Sequence, residues 1–336
     1  MTIFLALIVF GLLVLVHELG HFLTARAVGI EVEEFAIGFG PRIFSWKKGE
    51  TKYSLRFFPL GGYVKVLGEE KGDHDKEGSL QTKSVLQRFA FVFAGSFMNF
   101  VLAFVLFIIV FTGFGLAANI PEIGVVEEGN IAYQAGLKKG DYILEVNDIK
   151  INTWEELVVQ ISSNPDKTLN LKVSRDGNIL NIPVTPKYNP ETERVMIGIG
   201  PAYKTLPFFQ AIKESIYQTF SLSTQIISGI ILMITGRIEP EIAGPIGIVS
   251  MVGESAKYGL SSLLIFTALL SVNLGVLNLL PIPALDGSRL VFLLVEALRG
   301  KPVDPEKEGT IHIIGFIVLI IFMIFIMYKD VVRFIL

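Results

Sequence analysis

Four stretches of this chain, near residues 2 to 28, 89 to 118, 260 to 282 and 311 to 328, are apolar over the thickness of a bilayer's hydrocarbon core. Such segments must satisfy their backbone groups internally, so helices that cross or enter a membrane are expected. Ordinary charged sequence separates them. Of all 336 residues, 51% are apolar, more than one soluble core would bury. The chain reads as an α-helical polytopic membrane protein with extramembrane parts. Its first stretch does not read as a secretory signal. Met1 to Ala25 holds no Lys or Arg and carries His17, Glu18 and His21 within it, so a retained helix is expected. Net charge is only −3 and no basic patch with interleaved aromatics occurs, which removes nucleic acid as a partner. There is no cysteine, so a metal site must use His, Asp or Glu.

The organisation along the chain follows from composition shifts. A loop of about sixty residues after the first span is rich in Lys, Arg, Glu and Gly. Within it, residues 52 to 57 partly alternate, Pro59-Leu-Gly-Gly62 turns the chain, and Tyr63 to Val66 returns, which predicts a β-hairpin introduced by Gly38-Phe-Gly-Pro41. Residues 73 to 84 read as a polar surface loop. Residues 119 to 203 form a soluble domain of short strands and Gly turns, with a short amphipathic helix from Trp154 to Ile161. The boundaries expected are 1–118 for a first membrane half, 119–203 for the inserted domain, 204–258 for a surface helix and connecting loop, and 259–336 for a second membrane half. Residues 207 to 235 scatter Gln210, Lys213, Glu214, Gln218 and Gln225 among apolar residues, which suits an amphipathic helix lying on the membrane.

His17-Glu-Leu-Gly-His21 is an HExxH motif. Four residues apart on a helix, both imidazoles project from one face and can hold one zinc, with Glu18 adjacent as a base for the attacking water. Burying these groups in a hydrocarbon-length segment costs several kcal/mol unless they meet partners or a wet cavity, which favours function over interhelical packing. A hydrolytic site needs a third protein ligand. The candidates are His74 in a polar loop, His312 at the start of the last span, and Asp286. Asp286 is preferred, because it follows a helix broken by Pro281-Ile-Pro283 and Gly287 permits close approach. His312 and Asn99 read as structural polar residues at or within a membrane helix.

Two resemblances emerge from these motifs. Ala132-Tyr-Gln-Ala-Gly-Leu-Lys-Lys-Gly-Asp-Tyr-Ile-Leu-Glu-Val-Asn147 resembles the PDZ family, which implies a mixed α/β PDZ-like domain that binds extended peptides at a sheet edge. HExxH in the first span, Ala94-Gly-Ser-Phe-Met-Asn99 in the second, Ala243-Gly-Pro-Ile-Gly-Ile248, and Asn278-Leu-Leu-Pro-Ile-Pro-Ala-Leu-Asp-Gly287 together resemble the site-2 protease family, in the bacterial form with one PDZ domain. The order of motifs matches over essentially the whole chain. That resemblance implies zinc on His17, His21 and Asp286, Glu18 as catalytic base, and Asn278 contacting substrate. It also implies regulated intramembrane proteolysis of membrane proteins, such as anti-sigma factors or remnant signal peptides, after another protease has trimmed them. Ser288 stands where a second Gly is frequent in the family, a small residue for a small residue.

Metal geometry then sets a topology. His17 and His21, late in the first span, must share a depth with Asp286 after the third, so those spans run the same way and residues 207 to 235 do not cross. Four transmembrane helices and a membrane-associated β-hairpin result. Arg26, Arg42, Lys47, Lys48 and Lys52 follow the first span, whereas none follows the second until Lys138, which predicts a multi-pass protein of the cell inner (plasma) membrane with its active site towards the cytoplasm and the PDZ-like domain outside. Lys329 and Arg333 run against that bias. A membrane transporter or a PDZ-based scaffold is the alternative, and neither needs an HExxH spacing.

Overall fold

The first apolar stretch forms one helix, α1 (Thr2–Ala27). It is closed by bonds from Val28 N to Thr24 O and Ile30 N to Ala25 O, with Gly29 at φ +74° turning the chain out. The computed structural model describes residues 1–69, 76–190, 193–239 and 243–334. His74 therefore lies outside the described residues, as does the start of the polar loop expected at residues 73 to 84. The rest of that loop includes a 3₁₀ turn, Leu80–Thr82, with Leu80 buried. By contact the chain divides into two units, residues 1–108 with 211–336, and residues 109–210.

After α1 come β1 (Val32–Lys48) and β2 (Thr51–Val66), paired antiparallel from Val32 opposite Val66 to Lys48 opposite Thr51. This differs from the expected hairpin. Pro59-Leu-Gly-Gly62 lies inside β2 and does reverse the chain, but the returning residues 63–66 pair with β1 and not with residues 52–57. The glycines bend the ribbon instead of ending it, since Gly38, Gly40 and Gly61 all adopt positive φ. The bend folds the ribbon over, so Glu34 to Ile37 meet Lys52 to Leu55 as well as Gly62 to Lys65. Glu34 sits at the fold. Burial would raise its carboxyl's pKa, but hydrogen bonds from Ser54, Arg56 and Tyr63 hold it below the usual range. The far half of the ribbon leaves Ile43, Phe44, Trp46, Phe57 and Phe58 exposed.

The second apolar helix, α2 (Val85–Gly113), leads into the inserted unit. There β3 (Leu116–Ala117), β4 (Ile123–Val126), α3 (Ile131–Gln134), β5 (Tyr142–Val146), β6 (Ile149–Lys150), α4 (Trp154–Ser162), β7 (Leu169–Arg175), β8 (Asn178–Val184), β9 (Lys187–Asn189), β10 (Arg194–Met196), β11 (Ile199–Pro201) and β12 (Tyr203–Lys204) follow one another. The main sheet has the order β6-β5-β7-β8, and β4 pairs separately with β11. Alternation along β7 buries Leu169, Leu171 and Val173 against Ile123, Ile143 and Leu157. Thr153 caps α4 by accepting from Glu156 N at 3.2 Å. Asp141, wholly buried, is held by Arg175 at 2.6 Å.

Five helices follow among the described residues: α5 (Phe208–Ile234), α6 (Pro245–Lys257), α7 (Leu260–Asn278), α8 (Asp286–Arg299) and α9 (Pro305–Phe334). Among the described residues five helices, α1, α2, α5, α7 and α9, are long and apolar enough to cross a membrane by length and composition. That is one more than the four expected, because α5 is continuous over 27 residues despite its polar positions. The connecting loop expected before residue 258 contains α6, which starts at Pro245 where a missing N–H costs nothing. At its start Asp330 of α9 accepts from Gly244 N at 3.1 Å and Gly247 N at 2.9 Å while only 4% exposed. Two backbone bonds to one buried carboxylate are worth roughly 1.5–3 kcal/mol each. Asp330→Ala should therefore lower the thermal unfolding midpoint in detergent markedly, and Asp330→Asn, which keeps one acceptor, should lower it less.

Candidate active site

The histidines of α1 face a single stripe of α2. Phe91, Gly95 and Asn99 are spaced by four residues, so they line one helix face opposite His17 and His21. The helices run antiparallel, with His21 Nδ1 2.9 Å from the carbonyl of Phe91 and His17 Nδ1 3.1 Å from the amide of Asn99. Gly95 between them leaves room for both rings, since a Cβ there would collide with His21 Nε2 and lie 2.8 Å from His17 Cε1. Both histidines are buried.

The third group arrives from the other half of the chain. Beyond α7 the sequence Leu280-Pro-Ile-Pro-Ala makes a series of tight turns, with Ile282 N bonded to Leu280 O and Leu285 N to Ile282 O. Ala284 is forced to φ +77°, a strained value for a residue with a Cβ. Its N–H is taken by His312 Nδ1 at 3.1 Å, and Gly315, one turn further along α9, lies where a Cβ would meet Pro283. Asp286 then opens α8, with Gly287 tight against the backbone of Leu279 and Leu280. Leu290 and Leu293 of α8 pack into a core with Phe22, Ala25, Val32, Val66 and Phe91. The helix that carries the carboxylate is thus locked to α1, the helix that carries both imidazoles.

His17, His21 and Asp286 form a cluster whose ligand atoms all lie within 4.8 Å of one another. Nε2 of His17 is 3.2 Å from Nε2 of His21, and each is 3.3 Å from Oδ2 of Asp286. Oδ2 is buried and, apart from these two imidazoles, meets no hydrogen-bond partner among the described residues. Lone-pair atoms crowded in this way repel unless a cation sits between them. Corners of a tetrahedron whose centre is about 2.0–2.1 Å away lie about 3.3–3.4 Å apart, so the triangle fits a zinc ion with one position left open. Glu18 borders the same cavity of roughly 430 Å³, together with Tyr63, Val64, Arg289 and His312. The β2 backbone at Gly62 passes Glu18 closely, with a Cβ there 3.1 Å from Glu18 Cγ.

Of the residues singled out from sequence, His17, Glu18, His21 and Asp286 therefore come together. Asn278 is the last residue of α7, half-buried, and is not among the described residues lining that cavity. Two residues read as merely structural do more. Asn99 touches a histidine of the cluster, and His312 holds the bend that precedes Asp286. The spacing of Asn99 from Gly95 was a usable signal for the first; only the fold reveals the second.

The profile of Peptidase family M50 matches residues 5–322. The Regulator of sigma-W protease RasP of Bacillus subtilis is 32% identical over 415 aligned residues, covering 99% of this chain and 98% of that protein. The zinc metalloprotease RasP of Geobacillus kaustophilus is 33% identical over 409, covering 98% and 97%. Among solved structures, the PDZ domain of an SdrC-like protein from Listeria monocytogenes aligns with 25% of this chain and 88% of its own, at 16% identity and a TM-score of 0.23, too loose a likeness to carry weight. With the family profile spanning nearly the full length, the chain belongs to peptidase family M50, the site-2 proteases, and is an intramembrane zinc metalloendopeptidase.

Proposed function

We propose that His17, His21 and Asp286 hold the zinc, that Glu18 is the catalytic base, and that Asn278 contacts the substrate. The observation that carries this reading is the triangle of His17 Nε2, His21 Nε2 and Asp286 Oδ2, with Glu18 bordering the same cavity. When bound, zinc supplies Lewis acidity, lowering the pKa of water towards neutrality and polarising the scissile carbonyl. Glu18 takes the proton of the attacking water and returns it to the leaving amide nitrogen. His21 keeps its Nε2 lone pair inward because its Nδ1–H donates to the Phe91 carbonyl of α2.

The substrate is a transmembrane segment of another protein, in regulated intramembrane proteolysis, such as an anti-sigma factor or a remnant signal peptide already trimmed by an earlier protease. A helix shields its own peptide bonds, so it must unwind before cleavage. Tyr63 and Val64, which pair with Ala36 and Phe35 and also border the cavity, offer strand backbone to an unwound chain. The exposed aromatics of the ribbon suit membrane association. Four crossings, α1, α2, α7 and α9, suit the site: α2 opposes α1, and Asp286 reaches the depth of His17, so α7 parallels α1 and α5 lies along the surface. Residues 119–203 then form a PDZ-like recognition module outside, with the active site towards the cytoplasm. The test uses purified chain in liposomes with a single-span substrate. Chelation should stop cleavage, added zinc should restore it, and Asp286→Ala should lose the metal. Full cleavage after chelation, or an Asp286→Ala protein still holding about one zinc per chain, would overturn the reading.

A further inference from the structure

We infer that Asn99 is a positioning residue for the metal site, its side-chain oxygen accepting the Nδ1 proton of His17 and so presenting the Nε2 lone pair to the zinc. The inference rests on the ligand set proposed above and goes beyond it.

A neutral imidazole carries one proton, and the nitrogen that bears it needs an acceptor. If Nε2 of His17 binds a metal, Nδ1 carries the proton. At His21 this requirement is met openly, since Nδ1 lies 2.9 Å from the Phe91 carbonyl, which can only accept. The equivalent neighbour of His17 Nδ1 is the wholly buried Asn99 amide, whose nitrogen Nδ2 lies 3.1 Å away in the structure. Oriented with its nitrogen towards the ring, that amide sets two donors face to face once Nδ1 is protonated, and it strands Oδ1 in the interior without a partner. A half-turn of the amide exchanges nitrogen and oxygen with no change of shape. It places the oxygen opposite Nδ1–H. Both histidines then follow one rule: Nε2 towards Asp286, Nδ1 to an acceptor on the same stripe of α2.

Asn99 is itself fixed. Its backbone carbonyl accepts from Ser271 Oγ of α7 at 2.7 Å, so the amide cannot drift from His17 without breaking a contact to a third helix. Gly95, one turn away, allows the close approach of α2 that brings the amide within reach. An asparagine in a membrane helix with one face on a histidine and its backbone pinned to α7 does more than fill space.

The test compares the full-length parent with Asn99→Leu and Asn99→Asp in detergent, by zinc affinity in competition with a chromogenic chelator. Leu preserves the volume and removes the acceptor; Asp keeps an acceptor oxygen. Loss of a hydrogen-bonding partner behind a metal-bound histidine costs about 10–100-fold in affinity. Asn99→Leu is expected to lose that much, and Asn99→Asp to hold zinc at least as tightly as the parent. The inference fails if Asn99→Leu matches the parent, or if Asn99→Asp is weakened by about tenfold or more, the signature of a packing role. Should Asn99→Leu not assemble, the Asp variant decides alone. A parent that binds no zinc would instead refute the ligand set, so the two failures are distinct.

Discussion

Replacing Glu18 by Gln is expected to stop peptide hydrolysis while leaving the zinc in place. Gln has nearly the same shape as Glu but cannot accept a proton from water, and a positioned general base contributes about 10²–10⁴-fold in rate. The metal should stay because Glu18 is outside the cluster of His17, His21 and Asp286 proposed to hold it. Its side chain borders the cavity beside them. Initial rates on a single-span substrate in liposomes, read with metal analysis of the same preparation, separate the two quantities. A variant that retains about one zinc and cleaves within tenfold of the parent would remove Glu18 from the proton transfer. In cells, the variant should accumulate uncleaved membrane fragments, whose mass would also identify the substrate.

How much of this was legible from sequence differs by element, for physical reasons. The HExxH motif is local, because two residues four apart share a helix face wherever that helix packs, so the grouping of His17, Glu18 and His21 could be read without a fold. Asp286 is distant, yet a carboxylate placed just after a proline-broken apolar helix has little else to do at that depth. The β-ribbon was harder. Glycine and proline at 59 to 62 signal a turn equally well when they bend a strand, and only the pairing of Phe35 with both Val64 and Tyr53 distinguishes the two. Leu55, a natural place to imagine an edge, pairs with Phe44 and Ile37 and is interior to the folded ribbon. Helix α6 escaped notice since 13 residues cannot span hydrocarbon, and its start is stabilised by Asp330, 83 residues from Gly247. The contact of His312 with Ala284 N is of the same kind, a side chain meeting a backbone group that sequence spacing does not bring near.

Gly95→Ala is the smallest change expected to destroy the site. The added methyl would collide with Nε2 of His21 and lie 2.6 Å from its Cε1 and 2.8 Å from Cε1 of His17. Neither ring can retreat freely, for His21 is held at Phe91 and His17 at Asn99. Helix α2 cannot retreat cheaply either, because Gly20 of α1 packs so closely on Ala94 that the two backbones nearly touch. The rings must therefore turn, and Nε2 leaves the triangle with Asp286. Displacing two ligands should cost more than the roughly 10–100-fold that follows from losing a partner behind one ligand. Zinc affinity is expected to fall by at least about 100-fold, and cleavage with it. The control lies in the same helix: Gly113 has nothing within 4 Å of its Cβ position. There Ala should leave zinc and activity unchanged and, as the better helix former by up to about 1 kcal/mol, should if anything raise the unfolding midpoint. If Gly95→Ala bound zinc as Gly113→Ala does, α2 would have to be free to move away from α1, and the close packing argued here would be wrong.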